Sequence, residues 1–116
     1  MKGLVVLVLA AAFAMGASGG GHVGHGREHR YALRQLGGDT GQMQCLDALW
    51  TQESNWDPYA VNHSSGAYGI PQSLGHGHPF ALGDWRAQIR WGLGYIHSRY
   101  GSPCAAWSHE QNANWY

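Results

Sequence analysis

Glu53 is the residue whose type and position most clearly suggest chemistry. It follows Leu49 and Trp50 by four and three residues, so on a helix it leans toward the apolar stripe that those residues define. A carboxyl held there, beside Trp50 and Trp56, loses hydration, and that loss favours the protonated form. A carboxylic acid that stays protonated near neutral pH is what a glycosidic leaving oxygen requires of its general acid. The competing reading for one helix-end glutamate is a solvated carboxylate, or one paired with Arg86 or Arg90.

The next segment favours the first reading. Gly66-Ala67-Tyr68-Gly69-Ile70-Pro71-Gln72 combines two permissive glycines with a tyrosine and a glutamine. Glycines let the main chain approach a ligand closely. Tyr68 offers a stacking face, and Gln72 presents a donor and an acceptor to hydroxyl or acetamido groups. Taken alone, the segment could equally be a structural turn. A hydrolytic glycosidase would place a second carboxylate about 5 to 9 Å from the first. Asp47 points to another face of the helix, Asp57 lies past its end, and Asp84 and Glu110 are remote in sequence.

Other motifs fail. His109-Glu110 begins a zinc-protease pattern, but Ala113 stands where the second histidine belongs. Gly92-x-Gly94 lacks the third glycine of a dinucleotide loop, and no serine or cysteine occupies a nucleophile elbow. His22, His25 and His29 would share one helix face and could hold a metal, but the surrounding glycines disfavour a helix and the stretch reads as solvated linker. We expect no metal and no cofactor.

These residues need elements to hold them. In a chain of 116 residues there is room for one domain. Lys2 and the apolar run over residues 3–14 resemble a secretory signal, too short to span a membrane, so residues 1–17 are read as a signal and no stable membrane insertion is expected after cleavage. Residues 18–40, rich in glycine and histidine, read as a flexible leader, and the folded domain is placed at 41–116. Asp39 or Thr40 caps a first helix that ends between Asn55 and Pro58. Residues 61–72 form a long polar loop or short hairpin. Asp84 caps a second helix over 85–100, with Ile89, Leu93, Ile96 and Tyr100 on one stripe. Gly92 and Gly94 within it cost about 1 kcal/mol each against alanine, which suggests close approach of another segment. Gly101 stops it, and Ser102-Pro103 opens a last helix to about Gln111. Cys45 and Cys104, the two cysteines of an exported chain, are expected to pair. Formal charge is zero with histidines neutral, so nucleic acid and anionic membrane are not expected partners.

The two segments together resemble the soluble lytic transglycosylase domain of the lysozyme-like superfamily, whose motifs Glu-Ser and Gly-Ala-x-Gly-Leu-Met-Gln read here as Glu53-Ser54 and Gly66 to Gln72. Trp91-Gly92-Leu93-Gly94-Tyr95-Ile96 and the run from Arg99 to Trp107 are similar to the short secreted version found in actinobacteria and their phages. The resemblance runs from about Gln44 to the C-terminus. It implies a mainly α, small lysozyme-like domain, acting as a monomer on the glycan strands of peptidoglycan. Glu53 would be the acid, Ser54 would help hold it, and Tyr68, Gly69, Gln72 and Trp107 would line the glycan groove. Three features depart from the family pattern. Ile70-Pro71 replaces Leu-Met, Ala106-Trp107-Ser108 stands for Ala-Tyr-Asn, and the His76-Gly77-His78 connector is short. The second departure leaves the tyrosine near the acid to be supplied by Tyr100 or Tyr116. The alternatives are a non-catalytic peptidoglycan-binding or cell-wall accessory protein and a hydrolytic lysozyme.

Overall fold

A computed structural model describes residues 25–116; the expected secretory signal, His22 and residues 18–24 of the expected leader lie outside them. Among the described residues four helices follow one another: α1 (Gly26–Gln35), α2 (Thr40–Ser54), α3 (Trp85–Arg99) and α4 (Pro103–Ala113). Three begin on the caps expected from sequence. Asp39, Asp84 and Ser102 accept hydrogen bonds from the amides of Gln42, Ala87 and Ala105, and Pro103 opens α4. α2 stops at Asn55, which takes a left-handed conformation and turns the chain away from the helix axis. Among the described residues there is no extended strand. The stretch after α2 doubles back through isolated bridges from Tyr68 to Val61 and to Ser73.

α1 corrects the reading of residues 18–40 as leader. Glycine-rich flanks hide it, and a ten-residue helix is too short to persist alone. Packing against the rest of the chain supplies what propensity does not. Ala32 is fully buried, Tyr31 meets the edge of Trp85 with ring centroids 5.6 Å apart, and His29 stacks on Trp56 at 4.1 Å.

The core gathers Leu46, Leu49 and Trp50 of α2, Ile89, Leu93 and Ile96 of α3, Ala106 of α4, and Trp56, Ile70 and Tyr116 from outside the helices. α2 and α4 make the most extensive helix pair. They run parallel, since Cys45 bonds Cys104 near their N-termini while Gln52 reaches Glu110 near their C-terminal ends. The disulfide, with Cα atoms 4.9 Å apart and a sequence separation of 59, stabilises the fold by roughly 4 kcal/mol on a chain-entropy argument. The backbone amide of Cys104 also donates to Gln42 Oε1.

The two glycines of α3 behave differently. A Cβ at Gly92 would lie 2.5 Å from Trp50 Cζ2 and 3.0 Å from Pro71 Cβ, so here the expected close approach is real. At Gly94 nothing lies within 4 Å of a Cβ, and the residue faces outward. Gly92→Ala should therefore lower stability by roughly 1–3 kcal/mol, because the Trp50 ring is held in the core and cannot yield, whereas Gly94→Ala should be neutral or stabilising. Thermal denaturation of the two variants checks this contrast.

His29 is the polar tie of α1. Its Nε2 lies 2.8 Å from Asp47 Oδ1 and its Nδ1 2.6 Å from the His25 carbonyl. Both partners are acceptors, so the ring bonds both only as the doubly protonated imidazolium. Burial alone would lower its pKa, but the hydrogen bonds to Asp47 and His25 and the charges of Asp47 and Glu28 raise it above the ordinary 6.5. Because the folded pKa is the raised one, the stabilisation is complete below about pH 6.5 and is lost as pH climbs through the folded value. Amide exchange in α1, corrected for intrinsic rates, should be better protected at about pH 5.5 than at about pH 8.5, and His29→Gln should remove that difference.

Candidate active site

Glu53 sits in the last turn of α2, with 6% of its surface exposed. Burial holds its carboxyl well above the usual range, and the Glu110 carboxyl beside it, by its charge and by a hydrogen bond, raises it further. Glu110 comes from the inward face of α4 and is fully buried. Its own pKa is raised by burial but held back by hydrogen bonds from Glu53 and from Gln52, whose Nε2 lies 2.9 Å from Glu110 Oε2. The two neighbouring carboxyls therefore disfavour ionising together, and Glu53 is the one pushed furthest toward its protonated form. Glu53 Oε2 and Glu110 Oε1 are buried and have no hydrogen-bond partner within the described fold. Arg86 and Arg90 are not partners of Glu53: Arg86 lies over Trp85, and Arg90 donates to the Tyr31 hydroxyl. Trp56 stacks on His29 and gives its indole N–H to Asp47.

The second motif is held from three sides. Ser54 Oγ donates to the Ile70 carbonyl at 2.7 Å, which ties the end of α2 to the loop. Gln88, fully buried on α3, accepts from the Ile70 amide at 2.9 Å and donates to the carbonyls of Pro58 and Ala81. Tyr116 donates its hydroxyl to the Pro71 carbonyl and accepts from Trp50 Nε1, both at 2.8 Å. The Ile70 amide and both carbonyls of Ile70-Pro71 are thus committed. The donor missing at Pro71 breaks none of these bonds, so the departure from Leu-Met is accommodated.

Within the loop, Gly69 takes φ +78, and a Cβ there would lie 2.6 Å from the Phe80 ring. Tyr68 is buried, with its ring against Phe80 and His78 and its hydroxyl on the Phe80 carbonyl. Gln72, also in the left-handed region, turns its amide N–H back onto the Gly69 carbonyl. These side chains shape the loop through internal bonds. Trp107 is half-buried and packs against the core on α4.

Two tyrosines, Tyr95 and Tyr116, lie within reach of the charge of Glu53. Tyr116 is fully buried, and burial with the Glu53 charge pushes its hydroxyl well above its ordinary pKa. Tyr100 lies beside it, with ring centroids 6.3 Å apart. Tyr95 is half-buried, and burial, the neighbouring Tyr100 and the Glu53 charge push it up to about 12, so it remains a proton donor at neutral pH. Its ring stacks on Trp91 at 5.5 Å with planes 10° apart, and His76 meets the edges of both. This aromatic pair opens on a cavity of about 690 Å³ along one face of α3, lined by Arg90, Trp91, Gly94, Tyr95, Ser98 and Arg99.

Sequence reasoning missed three residues here: Glu110, Gln88 and Tyr95. Glu110 was set aside as remote, yet the Cys45–Cys104 pairing already aligns α4 with α2, and six residues past Cys104 brings Glu110 level with the end of α2. Gln88 had a signal, a polar residue one position from the apolar stripe of α3.

No family model, curated protein or solved structure matches the chain.

Glu110→Gln removes the neighbouring negative charge and leaves the burial of Glu53 in place. The Glu53 pKa should fall in that variant and still exceed 4.5, read from the carboxyl ¹³C shift of Glu53 against pH. An unchanged titration would mean that burial alone sets it.

Proposed function

We propose that the chain is a secreted lytic transglycosylase, which cleaves the β-1,4 bond between N-acetylmuramic acid and N-acetylglucosamine in peptidoglycan with Glu53 as its single acid. The observation that carries this reading is a buried carboxyl, pushed toward its protonated form, at the end of a helix, next to a clamped glycine-containing loop and near Tyr95 and Tyr116. Glu53 donates its proton to the leaving oxygen as the glycosidic bond breaks. The acetamido group of the muramic residue supports the developing cation at C1. The Glu53 carboxylate then takes the proton of the C6 hydroxyl as that oxygen closes on C1. The product carries a 1,6-anhydromuramic end, the enzyme regains its proton, and no water is consumed.

Glu110 bears on the choice between this route and hydrolysis. Retaining and inverting glycosidases place their second carboxyl across the substrate, about 5 Å or more from the first, whereas Glu110 is a fully buried neighbour of Glu53 inside the α2–α4 seam. Glu110 is therefore a positioning residue that favours the protonated form of the acid. The remaining carboxylates have other work: Asp47 binds His29 and Trp56, Asp57 accepts from the Tyr59 amide, and Asp84 caps α3. A purely binding role would be expected to leave Glu53 solvated, and it is buried. The disulfide fits an oxidising compartment, and no helix among the described residues is long and apolar enough to cross a membrane.

Mass spectrometry of fragments released from purified peptidoglycan tests the proposal. The wild-type protein should yield anhydromuramic ends and Glu53→Gln should yield none, while that variant melts at a higher temperature at neutral pH because a neutral amide replaces a buried acid. Reducing ends heavier by one water would move the reading to hydrolysis. No fragments from the folded, disulfide-bonded protein would move it to a binding module.

A further inference from the structure

A formal charge of zero conceals an uneven distribution. Among the described residues there are six arginines, and four of them, Arg27, Arg34, Arg86 and Arg90, gather on the joint face of α1 and α3. They surround two aromatic rings in contact, Tyr31 and Trp85. Arg27 and Arg86 lie over Trp85 at 5.1 and 4.1 Å from its centroid, Arg34 and Arg86 lie 5.8 and 5.9 Å from that of Tyr31, and Arg90 bonds the Tyr31 hydroxyl at 2.9 Å. All four are exposed. Only Arg27 has a carboxylate within ion-pair distance, the buried Glu28 at 3.3 Å. Asp84, the other acid close in sequence, caps the amide of Ala87.

Like charges so close repel one another, and the aromatic rings fix the guanidinium groups without neutralising them. What remains is a preorganised positive face. Arg27 and Arg34 stand about 10 Å apart along α1, and Arg86 and Arg90 about 6 Å apart along α3. That spread does not converge on one point, so it suits a row of anionic charges better than a single phosphate. Arg27 and Arg86 also cover Trp85, which is 9% exposed, and so close it to a stacking base. Recognition through charge alone therefore suits a polymer without bases.

We propose that the α1–α3 face binds a linear polymer of alcohol phosphodiesters, one negative charge per repeat, of the kind that an exported protein meets outside the cytoplasm. This binding is separate from Glu53 and its test does not depend on any bond being cut. It would hold the protein near its site of action.

Fluorescence anisotropy of a labelled glycerol-phosphate polymer with the full chain decides the matter. Three or four phosphate contacts predict a loss of roughly 20- to 50-fold in affinity between about 50 and 200 mM salt. Arg34→Gln/Arg86→Gln/Arg90→Gln should bind about tenfold more weakly or worse, and the corresponding lysine triple should recover most of that loss. Arg90→Gln alone, at the rim of the patch, should weaken binding about two- to fourfold, and it serves as the test if the triple variant does not fold. Wild-type affinity in the folded glutamine triple, or no polymer binding at the lower salt, would overturn the proposal. Tighter binding to phosphatidylglycerol vesicles, or to duplex DNA of equal charge, would overturn the choice of partner.

Discussion

The arrangement of this small domain turns on one costly juxtaposition, two buried carboxyls that act on each other. Neither Glu53 nor Glu110 would remain so deeply buried as a free anion, because burial penalises charge by more than a domain of this size can absorb. Protonation of Glu53 lowers that penalty, and α2 and α4 hold the two side chains in register. The disulfide fixes that register. It staples the helices about 12 Å, or eight residues along α2, from Glu53, and their parallel course carries the alignment to the pair. Gln52 donates a hydrogen bond to Glu110.

The loop carrying Gly69 to Gln72 is positioned by the same economy of contacts. It has almost no regular backbone pairing of its own, so side chains from α2, α3 and the C-terminal Tyr116 take that role. Each clamp also belongs to another part of the structure. Ser54 neighbours the acid, Gln88 bridges back to Pro58 and Ala81, and Tyr116 fills the space beside Trp50 and Tyr95. Gly92 completes the contact, because only a residue without a side chain lets Trp50 and Pro71 meet α3 at that depth. The loop therefore cannot shift without disturbing the end of α2 where Glu53 lies.

Much of this was legible from local chemistry. Asp39, Asp84 and Ser102-Pro103 mark helix starts through groups that act within one turn, and the two cysteines had one possible partner each. Glu53 could be read as an inward-facing acid because Leu49 and Trp50 are its helical neighbours. What escaped depends on distant partners. α1 has the composition of a linker, and its order comes from Trp85, Trp56 and Asp47, all outside its own segment. Glu110 and Glu53 are 57 positions apart, and nothing local to either announces the other. The arginine face is invisible to net charge because the balancing acids, Glu53 and Glu110 among them, are buried elsewhere.

Two protonation events govern this fold, and they act in the same direction. His29 docks α1 as an imidazolium, a contribution complete below about pH 6.5 and lost as pH rises through its elevated folded pKa. Glu53 has a folded pKa well above its ordinary 4.5, so the folded chain binds that proton more tightly than the unfolded chain does, and stability falls as pH rises from about 4.5 through the folded value. Each group is most favourable to the fold in its protonated form. The protonated Glu53 is also the form that can give a proton to a leaving oxygen. Mild acidity thus supports the docked α1 and the acid form of Glu53 together, although the two protons lie on separate clusters of the molecule, one at the α1–α2 contact and the other at the α2–α4 seam.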